Sequence, residues 1–255
     1  MIEKIAFLIL FFFVTNPIFT QSNNSRSIKV KSNKNLNSNI VFYKNDIINI
    51  SFDILGEKKS DFYYKITHCD YQWNPSKISK FEYIDGFDDI RITNYFFSKN
   101  TFQSFTNFSF QIPNENLKIK IDGNYVIKVY DENYNEIFQR KIIILNNLTN
   151  GLVNVTRSKE IFDSSYSQNI KALFSNTNNI IFNNNSDYKL AVIKNNNLKS
   201  SKYFSSPRLQ TGSKIIYDNI KFKGGSEYLY FDSKNILSTS NEIKQVNFKN
   251  IYNTV

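Results

Sequence analysis

His68, Cys69 and Asp70 stand side by side in a chain with a single His and a single Cys, and that trio raises nucleophilic chemistry first. A Cys thiolate needs a base to take its proton and a group to orient that base. The surrounding stretch reads DFYYKITHCDYQW, with Phe62, Tyr64 and Ile66 alternating against Tyr63, Lys65 and Thr67, the period of a strand. On a strand successive side chains point to opposite faces, so His68 and Cys69 diverge and only His68 and Asp70 share a side. Zinc is no better served, because a structural site takes about four Cys or His ligands and a catalytic one about three. The acidic pairs Asp88–Asp89 and Asp131–Glu132 read as solvated or capping carboxylates in turns. Gly224–Gly225 stands alone before a strand pattern, without the spacing of a phosphate loop. No catalytic, metal-ligating or cofactor-binding set is assembled, and no cofactor is expected.

The elements that would position these residues are strands. In DIINISFDIL, Ile48, Ile50, Phe52 and Ile54 alternate with Asn49, Ser51 and Asp53, one face for a core and one for water. FTNFSFQIP places Phe108, Phe110 and Ile112 on one face, and Pro113 ends the run because it has no N–H for the ladder. GNYVIKVYDENYNEIFQRKIIIL predicts a hairpin turning at Asp131–Asn135. The Asn/Thr/Gly tract Leu145–Gly151 reads as a connector. Beyond it QNIKALF, IIF, DYKLAVI, KIIYDNIKF and SEYLYFD are again short and strand-like. The expectation is an all-β chain with two immunoglobulin-like β-sandwich domains in tandem, residues 26–147 and 152–255. Lys249–Val255 shows no closing strand pair, so the second domain is expected to be incomplete.

Composition sets the class. The chain is 41% apolar and 16% aromatic, too rich in core-forming residues for intrinsic disorder. Asn makes up roughly 15% of the chain, far above ordinary usage; together with the many Lys, Ile, Phe and Tyr it fits an AT-biased coding sequence. That bias also accounts for the net charge of +10, since the Lys and Arg are scattered and no nucleic-acid motif accompanies them. Residues 1–20 are laid out as a secretory signal peptide, with an apolar run Ile5–Val14 too short to span a bilayer and a cut expected near Thr20. No later segment approaches the ~18 apolar residues of a membrane helix.

Three features remain. Trp73 is expected in the core or at its rim, since large aromatics fill sandwiches. Gly123, Asn124 and Tyr125 open a late strand after a turn, the setting of a tyrosine corner. The segment EYIDGFDD mixes aromatic and acidic groups on what reads as an irregular loop, so Glu82, Tyr83, Asp85, Phe87, Asp88 and Asp89 are the candidate partner interface.

In chain order these segments resemble the first domain of the type IX secretion system plug protein family. The resemblance rests on His68, Cys69, Asp70 and Trp73, on EYIDGF at Glu82–Phe87, and on Tyr95 with the turn Ser98–Thr101. It continues through IPNEN at Ile112–Asn116, GNYVIKVY at Gly123–Tyr130 and ISFDIL at Ile50–Leu55. In the second half it is looser: Ser226 and Leu229 stand where the family pattern has Asn and Arg, and the chain ends short of the usual family length. The resemblance implies a non-enzymatic periplasmic protein at the inner side of the outer membrane, whose partner is the translocon barrel it occludes. It implies neither nucleic acid nor a small-molecule substrate. The alternative from the residues alone is an exported adhesive or carbohydrate-binding β-sandwich.

Overall fold

The computed structural model describes residues 25–34, 40–56, 60–146, 149–160, 162, 166–176 and 188–224. The signal peptide read at residues 1–20 and the strands read at Ile180–Phe182 and Ser226–Asp232 lie outside the described residues. The chain divides into two compact units, Met1–Asn147 and Leu148–Val255. Both are built from strands, and the fold is all-β.

The first unit contains β1 (Ser25–Ser32), β2 (Val41–Tyr43), β3 (Ile48–Leu55), β4 (Phe62–Cys69), a helical turn α1 (Lys80–Tyr83), β5 (Ile84–Gly86), β6 (Ile90–Arg91), β7 (Asn94–Phe97), β8 (Phe105–Ile112), β9 (Leu117–Ile119), β10 (Gly123–Asp131) and β11 (Glu136–Leu145). One sheet has the order β1-β3-β8-β7, the other β2-β11-β10-β4-β6, and β5 pairs with β9 apart from both. The first order is the A-B-E-D sheet of an immunoglobulin-like sandwich, and β11-β10-β4 is its G-F-C sheet. β1 takes in Ser25 and Arg26, which pair with Ile54 and Asp53.

Alternation explains the packing. Ile48, Ile50, Phe52 and Ile54 of β3 are all buried, as are Phe62, Tyr64 and Ile66 of β4, and the two sets belong to one core cluster filled from both sheets. Phe52 lies at the middle, its ring 5.5 Å from Phe108 within the sheet and 5.7 and 5.1 Å from Phe62 and Phe138 across it. Burying each such ring contributes about 1.5–3 kcal/mol. The β10–β11 hairpin turns where the Asp131 carboxylate accepts the N–H groups of Asn133 and Asn135, both at 2.9 Å.

The second unit contains β12 (Thr149–Arg157), β13 (Ser167–Asn176), β14 (Leu190–Val192), β15 (Lys202–Phe204), β16 (Leu209–Gln210) and β17 (Lys214–Lys223). Its sheet order is β12-β13-β17-β16, the same A-B-E-D succession as the first unit's β1-β3-β8-β7. Ala172, Ile215, Tyr217, Ile220 and Phe222 form its core, with Leu190, Val192 and Phe204 of the β14–β15 hairpin packed against them. Thr149, Asn150 and Gly151 belong to β12, although the sequence places them in a connector. Gly151 pairs with Phe174, whose ring lies 3.2 Å from where a Cβ on Gly151 would stand; this glycine makes room for a ring on a neighbouring strand.

Candidate functional site

His68, at the end of β4, lies in an aromatic box. Its ring is 5.1 Å from Tyr125, edge to face, and 5.8 Å from Tyr83, and its Nδ1 shares a 2.8 Å hydrogen bond with Ser76 Oγ. Its other nitrogen presses on the backbone of Gly123. A Cβ built there would stand 2.4 Å from His68 Nε2, and Gly123 has φ = +142°, so two independent constraints select glycine. Burial lowers the His68 pKa, opposed by the neighbouring Asp122. Tyr125 donates its hydroxyl to the Ile121 carbonyl at 2.8 Å, which is the bond of a tyrosine corner. Asn124 donates to the Asp70 carbonyl at 2.9 Å.

Asp70 does not orient His68. β4 ends at Cys69, and the Asp70 carboxylate instead accepts the N–H groups of Asn74 and Gln72 at 2.9 and 2.8 Å. These bonds hold its pKa below the ordinary value. They close a tight turn that returns the chain along β4, where Cys69 bridges to Pro75. Cys69 is 4% exposed yet lies outside the main core cluster: β4 has already given its inner face to Phe62, Tyr64 and Ile66, and Cys69 points the other way, paired with Asn124. Burial raises its thiol pKa. Trp73, expected in the core or at its rim, is half-buried and outside that cluster. With φ = +70° in the turn, it sits below the ammonium of Lys141, 4.8 Å from the ring centre. The group named by the sequence is therefore a brace joining β4, its return turn and β10, in which His68 bonds Ser76 and Cys69 points to the other face.

The segment EYIDGFDD is ordered structure, contrary to its reading as an irregular loop. Ser79 donates its N–H to Glu82 Oε1 at 2.9 Å, half of a capping box that starts α1. Ile84, Asp85 and Gly86 then pair with Ile119, Lys118 and Leu117. Tyr83 is 5% exposed, because it forms a wall of the His68 box. Asp88 is ion-paired with Lys80, and Asp89 accepts the Tyr130 hydroxyl; burial and that bond raise the Tyr130 pKa. Tyr130 is in turn stacked between Tyr63 and Tyr134, with ring centres at 5.9 and 5.4 Å. The exposed candidates are Glu82, Asp85, Asp89 and Phe87, the last 70% exposed, together with Phe81 at 81%. Phe81 was missed by sequence reasoning. The spacing of Ser79 and Glu82 was the available signal, since a helical turn starting there buries Tyr83 and turns Phe81 away.

A cleft of about 620 Å³ lies between the β6–β7 connection and the end of β8. Some of its polar groups are engaged: Asn114 donates to Tyr64 at 2.6 Å and Asn94 to Ser109 at 2.7 Å within the lining, and Arg91 donates to Asp61 beside it at 2.6 Å. Among the described residues no group of three or more His, Cys, Asp or Glu side chains could hold a metal ion. No described helix is long and apolar enough to cross a membrane.

Fold and brace together define the first unit as an immunoglobulin-like β-sandwich domain whose marked residues fix a corner and an ordered, aromatic outer segment. Residues 25–146 match the family described as "Type 9 secretion system plug protein 1st domain", and this unit belongs to that family. Among solved structures, a hypothetical protein from Parabacteroides merdae superposes with a TM-score of 0.77 at 24% identity, over 91% of this chain and 60% of that one. That likeness is one of fold, and this chain spans about 60% of that protein's length. No curated protein matches the chain. The family ties the domain to type IX secretion.

Proposed function

We propose that this protein is a non-enzymatic periplasmic plug that binds and occludes the outer-membrane translocon barrel of the type IX secretion system. The observation that carries the reading is the family match over residues 25–146. The physical character of the first unit supports it. A large barrel left idle is an open aqueous channel, and blocking it calls for a body that keeps its shape. The sandwich has a core filled from both sheets, and its candidate contact segment is tied down from several sides. Tyr83 and Ile84 are buried beneath it, β9 pairs alongside, and Lys80 and Tyr130 hold Asp88 and Asp89.

Phe81, Asp85 and Phe87 form the outward contact surface of that segment. Exposed aromatics on an ordered support are the kind of residue that anchors interfaces, because they bury a large area with little entropy lost on binding. The mechanism is steric: the free energy comes from interface burial, no covalent step is involved, and release follows displacement by cargo or a gate partner. The test is affinity capture of the tagged protein from envelope extract, with the barrel expected in the eluate. Capture of surface glycans with no barrel would favour the adhesive alternative.

A further inference from the structure

The turn at Ser98–Thr101, part of the sequence signature, has no role in the contact surface just described. It caps the β7–β8 hairpin, whose stretch Asn94–Phe105 reads NYFFSKNTFQSF, with five aromatics, one Lys and no acid. Tyr95 packs onto the main core. Phe96 and Phe97 are exposed, and Phe102 stands fully clear of the protein, at 117% of its reference exposure. Three exposed phenylalanines on one hairpin exceed the scattered single apolar residues of an ordinary surface.

This display is built. Ser98 donates its N–H to the Phe105 carbonyl at 2.8 Å, and its hydroxyl oxygen accepts the Phe105 N–H at 2.9 Å and the Thr101 hydroxyl at 3.0 Å. Asn100 takes φ = +54°, a conformation Asn tolerates better than most residues. The neighbouring carboxylate on the same sheet, Asp53, is occupied by Asn107 at 2.6 Å and lies opposite Arg26. The tip thus presents a protruding aromatic and one Lys with no acid in its stretch. A protein pocket would have to be concave to receive it, whereas the boundary between lipid headgroups and acyl chains accepts a protruding aromatic with a flanking Lys.

We propose that the β7–β8 tip is a membrane-contact element, inserting Phe102 into the headgroup–acyl boundary of an anionic bilayer while Lys99 meets the headgroups. This is independent of the translocon reading. The test is sedimentation of the purified full chain with vesicles of phosphatidylethanolamine and phosphatidylglycerol, against vesicles of phosphatidylcholine. Phe102→Ser should weaken partitioning about tenfold or more, as loss of a buried Phe predicts. Lys99→Gln should weaken it about fivefold, on the anionic vesicles only. Because Phe102 touches nothing in the fold, its variants keep the native structure. A Trp73→Phe, Phe102→Trp variant reads the tip directly, and its emission should shift to the blue when anionic vesicles are added. Equal sedimentation of wild type and Phe102→Ser, no sedimentation of the wild type, or an unshifted emission spectrum when the tryptophan-tipped variant is vesicle-bound would each overturn the proposal.

Discussion

Gly123→Ala is the perturbation that reads the brace most directly. The new Cβ would stand 2.4 Å from His68 Nε2 on a backbone with φ = +142°. The ring has little room to retreat, since Ser76 holds its Nδ1 and Tyr83 and Tyr125 flank it. A non-glycine residue in that region of φ costs about 1–3 kcal/mol, and forcing an extra methyl into a packed site costs a similar amount. The expected destabilisation is about 2–6 kcal/mol, a large fraction of a domain's net stability. Urea unfolding followed by Trp73 fluorescence is the assay, because the sole Trp of the chain lies in the Asp70–Asn74 turn and so reports this unit. Adding His68→Ala separates the two causes: it removes the overlap and leaves the backbone cost, so the double variant should be more stable than the sum of the singles by about 1 kcal/mol or more. A Gly123→Ala variant within about 0.5 kcal/mol of wild type, or strict additivity with His68→Ala, would refute the reasoning.

The same assay checks the corner and the buried imidazole. Tyr125→Phe removes the hydroxyl that meets the Ile121 carbonyl and should cost about 1 kcal/mol; an unchanged urea midpoint would mean the bond contributes nothing. Burial holds the folded His68 pKa below its usual 6.5, so the unfolded chain binds the proton first. Stability is then full above pH 6.5 and falls as the pH drops through that value toward the lower folded pKa. His68→Gln should flatten the midpoint between about pH 7 and the carboxylate range, and an unaltered pH profile would contradict the assignment. Cys69, 4% exposed with a raised thiol pKa, should react with a bulky disulfide reagent only as fast as the unit opens, and rapid labelling of native protein would exclude its burial.

The strands with a single buried face were legible in the sequence. β3 and β8 alternate without interruption because one side of each meets the core, and the β10–β11 turn was legible because Asp131 and its Asn neighbours bond locally. What escaped depends on residues far apart in the chain. Nothing near Asp85 reveals that it pairs with Lys118, or that Tyr130 reaches Asp89 across forty-one positions, so a pinned segment read as an irregular loop. Trp73 reads as core or core rim because of its size; it stands half-buried in a tight turn with a positive φ, outside the main core cluster. Cys69 is buried, but strand parity sends it to the side opposite the main core. The paired carboxylates also alter the choice of interface variants. Charge reversal at Asp88 or Asp89 would break contacts to Lys80 and Tyr130, whereas Phe81, Asp85 and Phe87 can be changed without touching the support.

As a plug, the first unit is proposed to hold the translocon barrel through the outward face of that segment. The direct measurement is quantitative co-purification of the outer-membrane barrel with tagged wild-type protein and with the double variant Phe81→Ser, Phe87→Ser, both from envelopes extracted under conditions that preserve such assemblies. Truncating two exposed interface aromatics should reduce capture by at least about tenfold, while Trp73-detected unfolding stays within about 0.5 kcal/mol of wild type. A barrel absent from the wild-type eluate would contradict the plug reading itself, and equal capture by the two proteins would remove this face from the interface.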